Sequence, residues 1–380
     1  MALKSGWGND NFENMFLNSA ENKTSSILFF IQLLLAFILI AIISCNEKTE
    51  PRQIEPSFYY WKSILNLTNF EKQKLDSLKV KTIYLKFFDV DWDEVANAPA
   101  PVAKMQASRV GLQGGITIIP TVFITNECIQ KIDSSQIVKL AGNIYRLILE
   151  IRQANGFGSF AEIQIDCDWA AATKEKYFQL LNNIKSQITN LPSVASMKEG
   201  TILSCTIRLH QIKYLFKTGI PPVDKGLLMC YNMGNLKDPD TKNSILETAE
   251  LKKYTGALSN YPLPLDIAFP LFDWKVLFRN NMYKGLIGNL PDTVFKNSFT
   301  NKIQNRFGIL KDTMLQGYDL RQGDIIRNER SDIKEILSAA GEINKHLKNT
   351  PLRVSLYHLD SVILSKYSTH ELESIYNSLR

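Results

Sequence analysis

Eight short runs rich in β-branched and aromatic residues recur along residues 57–380, each bounded by polar or turn residues. They lie at 57–62, 82–89, 116–125, 161–168, 202–210, 227–232, 265–272 and 352–359. Helix-period segments separate them. Thr68 with Glu71, and Ser368 with Glu371, read as capping boxes. Ile137, Leu140, Ala141, Ile144 and Ile148 trace one helical face, Tyr177, Leu180, Leu181 and Ile184 a second, and Ile333, Ile336, Leu337, Ala340 and Ile343 a third. Strands that alternate with helices predict a parallel sheet covered on both faces, and a span of this length suits closure into a (β/α)8 barrel. The interval between the seventh and eighth runs is about eighty residues, far more than a helix and two loops need. Within it Asn280-Asn281 marks a two-residue hairpin, so a small β-rich insertion is expected over about 275–328. Such an insertion would stand on the carboxyl-end rim, where barrels build their sites.

The first 44 residues read as an address. Ile27 to Ile43 is apolar apart from Gln32, and it ends in Ile42-Ile43-Ser44-Cys45 before the polar run Asn46 to Glu50. That pattern resembles the lipobox of bacterial lipoproteins, which implies a signal peptide over 1–44, lipid attachment at Cys45 and a tether over 45–56. An uncleaved N-terminal anchor is the alternative. Either reading places the barrel (57–380) in the cell envelope, outside the cytoplasm and held to a bacterial membrane, the outer one favoured over the inner. The other cysteines, Cys128, Cys167, Cys205 and Cys230, are irregularly spaced and read as buried thiols.

Composition narrows the partners. There are 44 basic and 38 acidic residues with no long run of one sign, so nucleic acid is not expected. No glycine-rich phosphate loop follows any strand run, which argues against nucleotides, and no cofactor is expected. Four His and the scattered Cys do not make a zinc framework, and no metal is expected.

In a barrel strand alternate residues face inward, and inward polar residues near the carboxyl end face the site. The fourth run places Gln164, Asp166 and Asp168 in one phase, and the fifth places Ser204, Thr206, Arg208 and His210 together. Buried carboxylates need partners, so Asp166 or Asp168 is expected to meet Arg208. Asp89 and Asp91 end the second run and are either site members or loop caps. Rings recur at strand ends: Tyr60, Trp61, Trp92, Trp169, Tyr231 and Trp274. Such rings suit stacking on sugar faces, though core packing is the commoner fate of a Trp.

Ile165-Asp166-Cys167-Asp168-Trp169-Ala170 resembles the fourth-strand motif of glycoside hydrolase family 18, the chitinase-like barrels, whose signature runs D-G-x-D-x-D-x-E. Met229-Cys230-Tyr231-Asn232 resembles that family's sixth-strand M-x-Y-D/N, and the family also carries an insertion after its seventh strand. The resemblance implies a glycan-binding or glycan-hydrolysing barrel with an oligosaccharide or polysaccharide partner. It implies Asp168, Asp166 and Tyr231 as catalytic residues. Arg208, His210, Asn232, Asp89, Asp91, Trp61, Trp169 and Trp274 would bind substrate. The general-acid Glu of the motif falls on Ala170, and its first Asp on Ile163. Hydrolysis would then need another acid, such as Asp89, Asp91 or Asp273. The alternatives are a non-catalytic lipoprotein that uses an inherited barrel for protein contacts, and metal-dependent hydrolysis through Asp166, Asp168 and His210.

Overall fold

The computed structural model describes residues 51–380, apart from 108–114, 191–196, 289, 296–298 and 348–349. The expected signal peptide (1–44) and the expected lipid-attachment residue Cys45 lie outside the described residues. Among the described residues no helix is long and apolar enough to cross a membrane.

Eight parallel strands form the barrel: β1 (Ile54–Tyr60), β2 (Thr82–Asp93), β3 (Thr117–Ile124), β4 (Phe160–Asp166), β5 (Met197–Arg208), β6 (Lys225–Met229), β7 (Leu265–Pro270) and β8 (Leu352–Tyr357). Each pairs with its neighbours in chain order, and β1 pairs with both β8 and β2. That double pairing closes the sheet. All eight expected strand runs are present, and β1 begins inside the span read as tether. A short strand, Ala98–Val102, folds back antiparallel on the carboxyl half of β2.

Alternation separates the two sides of the sheet. Ile163, Ile165 and Cys167 face outward and join the large apolar layer between strands and helices. Helix α1 (Asn69–Ser77) starts from the Thr68–Glu71 capping box. Helices α2 (Ile137–Ala154) and α3 (Lys174–Asn190) pack on that layer through Ile144, Ile148, Leu180 and Ile184. The four cysteines expected as buried thiols are buried and unpaired.

The inward side mixes rings with polar groups. Tyr59, Tyr84, Ile119, Leu227, Met229, Tyr231 and Ala268 pack together along the axis. Tyr59 donates to Gln164 Oε1 at 2.5 Å. Toward the amino ends of the strands, Arg353 donates to Glu162 (2.7 Å) and to the Tyr84 hydroxyl (3.0 Å), while Lys225 pairs with Asp266 at 2.6 Å. Charge inside a barrel is tolerable only when paired in this way. These ions are the floor, well below the mouth.

The insertion is a five-stranded antiparallel sheet between β7 and β8, in the order Met282–Ile287, Asp273–Arg279, Ile325–Arg330, Arg306–Ile309, Thr300–Ile303. Asn280 and Asn281 make its expected two-residue turn with φ of 51° and 59°, a conformation Asn tolerates. Its own small core includes Ile287, Phe295, Phe307 and Ile326.

The sheet is fastened to the barrel through the loop that follows β6. Arg327 and Glu329 are fully buried and paired at 2.5 Å. Arg327 also donates to the carbonyls of Asp238 and Leu236, and Glu329 accepts from the Ser244 amide and from Trp274 Nε1. This loop begins with Asn232 and Met233, so the insertion braces one wall of the mouth.

Candidate functional site

At the carboxyl ends of β4, β5 and β6 an open pocket of about 280 Å³ is lined by Asp168, Arg208, Leu209, His210, Tyr231, Asn232, Met233 and Tyr254. Four of the polar residues, Asp168, Arg208, His210 and Asn232, were expected here from strand phase or resemblance, and so was Tyr231. Met233 and Tyr254 were not, because neither lies in a strand and no periodic signal marks them.

Arg208 meets Asp168, not Asp166. Its Nε and Nη2 donate to the two oxygens of Asp168 at 2.5 and 3.0 Å, and its guanidinium carbon stands 5.9 Å from the centre of the Tyr231 ring. Gln211 fixes this geometry from behind. Buried at 1% exposure, its Oε1 accepts from the Arg208 amide (2.7 Å) and its Nε2 donates to the Trp169 carbonyl (2.9 Å). It thereby ties the residues just after Asp168 to the base of Arg208. Half of the Asp168 side chain remains exposed to the pocket.

Asp166 lies beneath this pair, 5% exposed, and its Oδ1 accepts from Thr206 at 2.6 Å. Burial pushes its carboxyl up to about 6; the Arg208 charge opposes that rise and the Asp168 charge adds to it. The folded carboxyl holds its proton to a higher pH than the unfolded one, so stability falls as pH rises from about 4 to 6. That difference in proton affinity corresponds to about 3 kcal/mol. Asp166→Asn, which keeps the acceptor for Thr206, is expected to flatten that slope and to be no less stable than the parent at pH 7. Urea melts of both proteins at pH 4 and pH 7 check this, and an unchanged slope would assign the pH dependence elsewhere.

Tyr231 closes the floor. It is 3% exposed, its ring packs edge-on to Phe272 and obliquely against Tyr357, and among the described residues its hydroxyl has no hydrogen-bond partner. Asn232 follows with φ of 55°, and its amide donates to the Ile245 carbonyl, which turns the chain away from the strand direction. His210 is exposed at the pocket edge, and its partial enclosure followed by the Arg208 charge holds its pKa below the ordinary value.

Several expected site residues stand elsewhere. Trp169, read as a sugar platform, is core: it is 1% exposed, stacks on Tyr177 and donates to the Thr218 carbonyl at 3.0 Å. Trp169 continues the outward phase of Ile163, Ile165 and Cys167, so alternation itself carries the ring toward the helices, and only its place at a strand end had suggested the rim. Asp91 is a loop cap, accepting from Thr125 Oγ1 and from the Trp92 amide. Asp89 pairs with the nearly buried Lys86 at 2.8 Å, and Lys86 lies over the Trp61 ring. Trp61 packs against Tyr59, Phe123 and Tyr357. None of these three lines the pocket. Trp274 donates to Glu329 and leans on Phe272, and Asp273 pairs with Lys366. Ala170 sits in the turn before α3, where its amide donates to Thr173 Oγ1. Among the described residues no cluster of His, Cys, Asp or Glu is arranged to hold a metal ion.

Fold and pocket together define a (β/α)8 barrel with a polar, ring-floored pocket at its carboxyl-end mouth. No family model matches the sequence, and no curated protein does. Among solved structures the chain is similar to the Bacillus cereus spore cortex-lytic enzyme SleL, at 13% identity and a TM-score of 0.48 over 87% of this chain and 75% of that one. A chitinase from Chromobacterium violaceum is similar at 11% identity and 0.48, over 86% of this chain and 97% of that one. The class V chitinase from Nicotiana tobaccum is similar at 10% identity and 0.45, over 87% and 99%. The barrel assignment rests on the closed parallel sheet itself.

Proposed function

We propose that this protein is a membrane-tethered glycan-binding barrel that takes part of an oligosaccharide into the pocket above Tyr231. One observation carries the reading: a pocket floored by the Tyr231 ring, with the Arg208 guanidinium over that ring and Asp168, His210 and Asn232 around it. A ring under a guanidinium, with amide and carboxylate groups around it, suits a sugar ring that presents hydroxyl or acetamido groups. The motifs Ile165–Ala170 and Met229–Asn232, similar to those of the chitinase-like barrels, point the same way.

Binding is favoured over hydrolysis. Glycoside hydrolysis needs a carboxylic acid able to protonate the leaving oxygen, worth about 10²–10⁴-fold. The pocket's one carboxylate, Asp168, accepts from Arg208 through both oxygens, and the protonatable Asp166 is buried beneath it. Ala170, where the resemblance puts the acid, has no proton to offer and is not among the residues that line the pocket. The apolar run Ile27 to Ile43 with Cys45 supports attachment by lipid to a bacterial envelope membrane, the outer one favoured, with the barrel outside the cytoplasm.

The test is native mass spectrometry of the full chain in detergent with chitin, peptidoglycan and plant-type oligosaccharides. Retained complexes without cleaved products are expected. Cleavage would overturn the binding-only reading, and failure to retain any glycan would overturn the reading altogether. The same spectra show whether Cys45 carries a diacylglycerol and whether residues 1–44 are gone.

A further inference from the structure

We infer that the glycan bound here carries carboxylate groups, and that Lys213 selects for them; this rests on the glycan reading above. Within the pocket, positive and negative charge cancel, because Arg208 occupies both oxygens of Asp168. The charge left over stands on the segment that follows β5. Lys213 is exposed, and its ammonium lies 4.9 Å from the centre of the Tyr254 ring and 5.5 Å from that of Tyr214. Tyr254 is itself a wall of the pocket.

Glu250, whose carboxylate accepts from the Tyr254 hydroxyl, is paired with Lys253, and among the described residues Lys213 has no ion-pair partner. Two rings therefore hold a cation at the pocket lip with its hydrogen-bond donors unused. Next to it Tyr214 is 48% exposed and Phe216 wholly so, and Lys217 adds a second positive charge. A saccharide chain that leaves the pocket over Tyr254 meets ring faces and the Lys213 ammonium together. A neutral chain engages only the rings, whereas a carboxylate on the sugar one step out pairs with Lys213. Uronic acids and lactyl-bearing amino sugars both present that chemistry.

The full chain in detergent, titrated with three hexasaccharides, separates the cases: one of chitin, one of uronic acid, and one of peptidoglycan glycan bearing lactyl carboxylates. At low salt an acidic chain is expected to bind roughly 5-fold tighter than chitin, the advantage shrinking in molar salt as the screening length falls to about 3 Å. Lys213→Met should narrow the gap between acidic and neutral chains, and Lys213→Arg should keep it. Tighter binding of one acidic chain alone supports the inference and names the source of the carboxylate. Chitin binding as tightly as both acidic chains, or a gap that survives Lys213→Met, overturns it and leaves the glycan reading standing. Binding of none of the three overturns both.

Discussion

Glu329→Gln is expected to lower the melting temperature by roughly 6–10 °C, the largest single effect on stability we anticipate. Arg327 and Glu329 are both wholly shielded from water, so the exchange leaves a buried guanidinium without its counter-charge. Such losses run to about 3–5 kcal/mol, and a domain of this size shifts by roughly 2 °C per kcal/mol. The amide also turns an NH2 donor toward other donors, because Glu329 Oε1 accepts from Arg327 and Oε2 accepts from Ser244 and Trp274. Arg327→Met with Glu329→Leu together should cost less than the single change, since removing both charges leaves neither stranded. Differential scanning calorimetry of the three proteins checks this. A single variant as stable as the parent would mean that water reaches the pair. The loop that Arg327 holds carries Asn232 and Met233 into the pocket, so the single change should weaken glycan binding as well.

Asp168→Asn should do the opposite: lower glycan affinity by about 10–100-fold while leaving the melting temperature within roughly 2 °C. The stability term is small because the Asp168–Arg208 pair opens to the pocket, and such exposed pairs are worth about 0–1 kcal/mol. The binding term is large because the substitution frees Arg208 from its two-point contact above the Tyr231 ring and removes the pocket's one carboxylate. Hydrogen bonds to charged groups carry about 1.5–3 kcal/mol, and each 1.4 kcal/mol is about tenfold in affinity. Titration with the tightest oligosaccharide of the panel, beside a thermal melt, reads both quantities. Unchanged affinity would remove Asp168 from the site. A large fall in melting temperature would make the pair a structural element of the mouth.

These two predictions concern ion pairs that sequence alone treats alike, since each is an Arg and a carboxylate at the carboxyl end of strand-like runs. Their opposite effects come from burial. Glu329 is sealed between the inserted sheet and the loop after β6, segments about 85 residues apart in the chain. Nothing local in Arg327-Asn328-Glu329 announces that enclosure. The pocket residues Met233 and Tyr254 were illegible for a related reason. They reach the site through the path of a loop and a helix, and side-chain periodicity carries no record of where a loop runs.

What the sequence by itself determined is the set of eight strands, the phase of the fourth and fifth, and the place of the insertion. Period-2 alternation sorts Ile163, Ile165 and Cys167 from Gln164, Asp166 and Asp168 without reference to any other segment, because successive side chains leave a strand on opposite faces. Phase tells which side of the sheet a residue takes. It does not tell how high on the barrel axis the residue stands beside its neighbours. That depends on register between strands and on where each strand ends, and only closure of the barrel decides it. Asp168 therefore meets Arg208 at the open mouth while Asp166 is buried against Thr206 below. Trp169, one residue past Asp168, continues the outward phase of Ile163, Ile165 and Cys167 and stacks on Tyr177 of α3 in the core, so here phase decided and the place at a strand end did not.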